Sequence, residues 1–163
     1  MKLFGFFAWT IGLLLVDQLS KYLARDALVV GQSKVVIPHV LEVTLVYNTG
    51  VAFGLFENLG VFLTPVAIAV AIAAAWSFAR SDPRDRLYRA AMILVASGAV
   101  GNLIDRLMNE GKVTDFINIY VIHVFNVADM CITFAVLLLL GHMLTESRRD
   151  AGATATSTGD DAS

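Results

Sequence analysis

Cysteine is almost absent from this chain: one residue, Cys131, in 163. That excludes an intrachain disulfide framework and any Cys-based metal cluster. Cys131 itself reads as a small apolar residue inside a helix. Zinc-hydrolase patterning is missing too. There is no His-Glu-x-x-His, and His39, His123 and His142 are scattered, so no metal site is expected and His39 reads as a surface residue. No serine or cysteine has a histidine placed as its base in any motif context, which leaves nucleophilic catalysis weakly supported. The formal net charge of -2 gives no basis for binding nucleic acid.

What the chain has in excess is apolar residues: 57% are hydrophobic and the mean hydropathy is +0.70, against about 45–50% apolar in soluble domains. Four apolar runs are long enough to cross a bilayer, at about residues 3–23, 59–79, 87–107 and 125–144. The first follows Lys2 and resembles a secretory signal. Its apolar stretch is too long for one, however, no small-x-small site closes it, and it carries Asp17, Gln18 and Lys21. It reads as an uncleaved spanning helix. The expectation is an all-α polytopic membrane protein with a single domain over residues 1–145. Residues 146–163, rich in Ala, Thr, Ser, Gly and Asp, read as a disordered tail.

Between the first two runs, Leu41–Tyr47 is β-rich and partly alternating, so it reads as a strand. Asn48-Thr49-Gly50 follows as a turn. Val51–Phe56 is apolar and aromatic but too short to span, and suits an interfacial segment. Pro65 falls in the first turns of the second run, where it costs little, and Trp76 near its end fits an interfacial anchor.

Arg80, Arg84, Arg86 and Arg89 crowd the connection between the second and third runs. The positive-inside rule assigns that loop to the cytoplasm. With four spans both termini are then cytoplasmic, and segments 25–58 and 108–124 lie outside. Helix 1 runs outward with Asp17 about 10 Å below its outer end. Asn102, Asp105 and Arg106 close helix 3 at its outer end, and Asn126 and Asp129 open helix 4 there. Ionisable groups at membrane depth are costly and mark sites or pairs. Random placement would scatter them between leaflets, yet here all converge on one.

Asp17 and Lys21 are four apart and can pair on one helix face, either as a snorkelling lysine with its neutralising acid or as part of the site. Gly98, Gly101, Asn102, Asp105 and Arg106 share a face of helix 3, the glycines admitting a neighbour. For Asp105 and Arg106 a polar clamp is favoured over direct chemistry. Asp115 and Asp129 have no cation beside them in sequence. Asp115 lies in an apolar-flanked segment, read as a loop, that could dip into the membrane surface. If the two carboxylates meet they can share a proton, as aspartyl peptide hydrolysis requires. Two acids at that depth could equally bind a cation or relay protons.

Five ordered stretches carry a resemblance: Asp17-Gln18-Leu19-Ser20-Lys21, Asn48-Thr49-Gly50-Val51-Ala52-Phe53-Gly54, Gly98 through Arg106, Val113-Thr114-Asp115-Phe116, and Phe125-Asn126-Val127-Ala128-Asp129. Together they resemble the motif set of the lipoprotein signal peptidase (signal peptidase II) family. The resemblance implies an aspartyl peptidase of the bacterial inner membrane that cuts prolipoproteins before a diacylglyceryl-modified cysteine. It implies Asp115 and Asp129 as the catalytic pair. Asn102, Asp105, Arg106, Asn126 and Ala128 become supporting or substrate-binding residues, and Asp17, Lys21, Asn48 and Gly50 an outer rim. It further implies a small extracytoplasmic β-sheet and an interfacial helix from segment 25–58, no metal or other cofactor, and sensitivity to the cyclic peptide globomycin. The expected partners are diacylglyceryl prolipoproteins and membrane lipid, with the enzyme acting as a monomer. Two features depart from the family pattern: a short connection from Asp115 to Asp129, and Met130 where a smaller residue is expected. Two readings compete: a small ion-coupled transporter using Asp17, Asp105, Asp115 and Asp129, and an assembly protein whose polar face binds a partner helix. A carrier should place its charges near the midplane, and the apolar inner halves of these helices argue against it.

Overall fold

Helix α3, Arg86–Met108, is the post against which the other helices pack. Ala91, Ala96, Ser97, Gly98, Ala99 and Gly101 are all buried along it, and such small side chains let neighbouring backbones come close. Its most apolar stretch is 56% buried, against 17% in each of the other three long helices. Those are α1, Leu3–Ala27, α2, Leu59–Arg80, and α4, Val127–Asp160. The computed structural model describes residues 3–49 and 59–160. Gly50 and the expected interfacial segment at Val51–Phe56 lie outside the described residues.

The outward faces of the bundle carry Leu15, Leu19, Ile72, Leu137 and Leu140, all exposed. Such a girdle is stable only against hydrocarbon, and all four helices are long and apolar enough to span a membrane. At the α2–α3 end, Phe6, Phe78, Met92, Ile93 and Ala135 form a buried cluster. Arg89 locks the turn there: its guanidinium lies 3.8 Å from the Phe78 ring centre and donates to Phe78 O at 3.1 Å and Ser81 Oγ at 2.9 Å. Asp85 caps α3 by accepting from the Tyr88 N–H at 3.0 Å.

At the other end lies a three-stranded antiparallel sheet of order β1-β2-β3, with β1 Ser33–Ile37, β2 Leu41–Asn48 and β3 Val113–Asn118. Only β2 is expected from sequence patterning. The segment holding Asp115 is a strand rather than a loop. β3 pairs with β2, with Val46 opposite Asp115 and Tyr47 opposite Thr114. Its burial on both faces explains why no alternation marks it in the sequence. The turn into β3 uses positive φ at Glu110 (55°) and Gly111 (86°). The Gly111 N–H donates to Arg106 O at 2.8 Å, folding β3 back across the end of α3. The short connection from Asp115 to Asp129 is closed by a bridge between Ile117 and Phe125, with N–H to O distances of 2.8 and 3.0 Å.

Two helix ends differ from the hydropathy limits. α4 starts at Val127 rather than Phe125 because Asn126 caps it. It then continues through Asp160, over a segment whose composition reads as disordered; Ala151, Ala153 and Ala155 favour helix and no proline interrupts it.

Candidate active site

The polar residues converge where α1, the C-terminal end of α3, β3 and the first turn of α4 meet. Asp17, Lys21, Asn102, Asp105, Thr114, Asp115 and Asn126 are all buried there. Their bonds form one connected network, as burial of so many polar groups requires.

Lys21 is its cationic centre. Its Nζ lies 2.9 Å from Asp17 Oδ2 and 3.6 Å from Asp105 Oδ2, and it donates to Asn102 Oδ1 at 3.1 Å. Lys21 and Asp17 have side-chain exposures of 0% and 2%. They are buried, which excludes the snorkelling pair considered from sequence and makes them a floor of the network. Asp17 Oδ1 accepts the Ala128 N–H at 2.8 Å, so an acid on α1 caps α4. Gly101 makes that approach possible, since a Cβ there would lie 2.8 Å from Asp17 Oδ2 and 3.0 Å from the Ala128 Cβ.

Asp105 serves as the polar clamp expected of it, holding a neighbouring strand. It accepts the Thr114 N–H at 2.7 Å, which pins β3 to α3. Arg106 keeps a buried Nε without a hydrogen-bond partner among the described residues, while its charge acts on Asp129, Asp105 and Asp115.

Asp129 is set by a reciprocal helix cap. Asn126 Oδ1 accepts the Asp129 N–H at 2.9 Å, and Asp129 Oδ2 accepts the Asn126 N–H at 3.3 Å. Asp129 Oδ1 accepts Asn102 Nδ2 at 2.8 Å. Asp115 Oδ1 accepts Asn126 Nδ2 at 2.6 Å, and its Oδ2 accepts Asn48 Nδ2 at 2.9 Å. Asn126 therefore touches both carboxylates and also donates to Asn102 Oδ1 at 3.2 Å. Burial, above all, pushes Asp115 up from the usual carboxylate value to about 6, and the charge of Asp129 adds to the rise. The bonds from Asn48 and Asn126 and the charge of Lys21 oppose it.

Sequence reasoning thus named most of this network, Gly50 lying outside the described residues. It missed Gln18, whose Nε2 reaches Asp17 Oδ2 at 3.0 Å, Gly101 O at 3.1 Å and Asp105 Oδ1 at 3.3 Å. It also missed Arg25, which donates to Thr114 Oγ1 at 2.9 Å. An amide in an apolar helix beside Asp17 was a usable signal for Gln18. For Arg25 there was none, since it lies beyond the apolar run and its partner comes from β3. Among the described residues no group of three or more His, Cys, Asp or Glu side chains is arranged to hold a metal ion.

Comparison with known proteins agrees with this architecture. Residues 9–145 match the family model described as signal peptidase (SPase) II. A lipoprotein signal peptidase of Hydrogenovibrio crunogenus is 38% identical over 153 residues, covering 88% of each chain. One from Moorella thermoacetica is 40% identical over 131 residues, covering 80% of this chain and 87% of its own. A bacterial membrane enzyme structure determined by the in meso method superposes with a TM-score of 0.80 at 30% identity, covering 88% of this chain and 89% of that one. These matches, and the one-ended grouping of the polar residues, leave the transporter reading without support. With its four apolar helices and three-stranded sheet, the chain belongs to the signal peptidase II family.

Proposed function

We propose that this multi-pass membrane peptidase removes the signal peptide from diacylglyceryl-modified bacterial prolipoproteins, cutting before the lipidated cysteine with Asp115 and Asp129 as its aspartyl pair. The relatives named lipoprotein signal peptidase support the substrate class. The observation that carries the catalytic assignment is Asn126, whose backbone N–H and side-chain amide bond the two carboxylates separately. They are held as one unit yet made unequal.

The inequality assigns roles. Asn102 Oδ1 accepts from Lys21, so its Nδ2 must face Asp129 and fixes that oxygen as an acceptor. Asp129 also sits in the first turn of a long helix, where the backbone dipole favours an anion. It acts as the base. Asn126 Oδ1 accepts the Asp129 N–H, so its Nδ2 must face Asp115 Oδ1. Asn48 Nδ2 donates to Oδ2, so both oxygens of Asp115 accept an amide proton and neither is singled out to carry the transferable one. In the first step Asp129 takes a proton from water, the hydroxide oxygen bonds to the scissile carbon, and Asp115 protonates the carbonyl oxygen. In the second step the C–N bond breaks. Asp129 returns its proton to the departing cysteine amine, Asp115 regains one from the gem-diol, and the signal peptide leaves with a free carboxyl group. Arg106 adds its positive charge beside the pair.

The arginines at the α2–α3 turn assign that end to the cytoplasm. Both termini are then cytoplasmic, and the sheet and the pair face the outer leaflet. A diacylglyceryl-anchored substrate meets them there with its acyl chains still in lipid, which restricts its freedom before reaction. The chain works as a monomer without a metal, and globomycin competes for the site.

The test is purified full-length protein in lipid with a diacylglyceryl prolipoprotein, following product mass. Asp115→Asn and Asp129→Asn each lower the rate by about 10²–10⁴-fold or more while melting as folded proteins. Full cleavage by either folded variant overturns the assignment.

A further inference from the structure

At the end opposite the carboxylates, a cavity of about 640 Å³ opens between α1 and α3. Its walls include Trp9, Leu13, Ala90, Ile93 and Leu94, and two arginines, Arg86 and Arg89, stand among them. None of its lining residues is acidic. The acids of this end turn elsewhere: Asp82 accepts the Arg84 N–H at 2.8 Å, and Asp85 caps α3 and lies 3.5 Å from His142. With Glu146 they line an adjoining cavity, and Arg86 stands between the two, on the wall of each. Along α3, Arg86 stands about 28 Å from Asp105 at ~1.5 Å per residue, so this groove is not part of the peptidase site.

We infer that the α1–α3 groove binds an anionic phospholipid, with an acyl chain along Leu13, Ile93 and Leu94 and its phosphate on Arg86. An apolar trough opening on the lipid-facing side of a bundle suits a hydrocarbon chain, and its volume falls within the range of small-molecule sites. Arg86 is exposed, in the first turn of α3, and suited to phosphate by its planar donors. Trp9 is 63% exposed on the same groove, and Trp76 stacks with Arg80 at 4.7 Å at the end of α2, as expected of an interfacial belt. Basic pockets between spanning helices on the cytoplasmic side select anionic headgroups. Arg89 is buried and donates to Phe78 O and Ser81 Oγ, so the selectivity sits in Arg86 and the groove, not in the loop charge as a whole. It does not depend on the peptidase chemistry.

Trp76→Phe isolates Trp9 as the reporter. In nanodiscs of phosphatidylcholine, a small fraction of phosphatidylglycerol brominated on its acyl chains should quench Trp9 with an apparent preference of about fivefold over brominated phosphatidylcholine at the same fraction. Arg86→Gln should erase the preference, Arg84→Gln should keep it, and Ala90→Phe should reduce quenching by both lipids. Equal quenching by the two lipids in the parent overturns the inference. So does an Arg86→Gln variant that keeps the preference, or an equal loss in Arg84→Gln, which would mean diffuse attraction to the basic loop.

Discussion

If Asp115 is the proton donor, its ionisation should appear directly in the pH dependence of cleavage. Buried on β3 and facing the charge of Asp129, it ionises near pH 6, raised from an ordinary value of 3.8. Its acid form is then roughly nine-tenths of the protein at pH 5 and roughly one-tenth at pH 7. kcat/KM, which reports the free enzyme, should fall about tenfold per unit above pH 6. Removing the Asn48 bond to Oδ2 takes away a donor that favours the anion, so Asn48→Ala should move the falling limb to higher pH. Stability carries the same signature. A carboxyl raised on folding contributes stability that is whole below its unfolded value and is lost as pH rises through its folded value. For a rise from 3.8 to about 6 the loss is on the order of 3 kcal/mol between those limits. Melting of the parent protein should therefore drop across that window more than melting of Asp115→Asn. The assays are initial-rate cleavage of a diacylglyceryl prolipoprotein from pH 5 to 8 and thermal melts over the acid range. A rate profile flat to pH 8, or an Asn48→Ala limb displaced downward, would refute the donor assignment.

Two further substitutions probe the scaffold. Lys21→Met leaves Asp17 and Asp105 buried without their shared cation and should cost about 3–5 kcal/mol; adding Asp17→Asn should recover part of it, and an unchanged melting temperature in the single variant would show the lysine is not holding the floor. Gly98→Ala puts a Cβ 2.5 Å from Ala128 O and 2.6 Å from Ile132 Cγ1, forcing α3 and α4 apart at a cost of about 1–3 kcal/mol. Because Ala128 adjoins Asp129, cleavage should fall with it, and a variant with parental rate and melting would show that the contact is not needed.

The four helices were legible because hydrocarbon imposes one simple pattern, a long apolar run. The sheet was less so. β2 keeps a partial alternation, but β1 is exposed along its whole length and β3 is buried on both faces at its start, so neither shows period two. The start of α4 could have been placed better: Asn126-Val127-Ala128-Asp129 is a cap signature, and hydropathy alone pulled the boundary back to Phe125. Residue type singled out Asp115 and Asp129, and the family resemblance paired them. Their inequality was not legible, since it depends on which amide proton faces which oxygen, and those partners come from β2, α3 and the cap of α4.

The buried floor of the site follows from a requirement that precedes catalysis. A helix starting at membrane depth leaves its first N–H groups without water to bond them. In α4, Asn126 supplies acceptors for the N–H groups of Asp129 and Met130, the latter at 3.2 Å from its carbonyl oxygen. Nothing local serves Ala128, and Asp17 reaches across from α1 to accept its N–H. A carboxylate brought there must be neutralised, and Lys21 one turn along does so. Once buried, Lys21 needs further acceptors and finds Asn102 Oδ1 and Asp105. Asn102 is thereby oriented with its amide protons on Asp129. The side chains that cap a membrane-buried helix are the ones that fix the hydrogen bonding of the proposed base. That is why an acid–lysine pair on α1 sits with the carboxylates, although both of its side chains are buried.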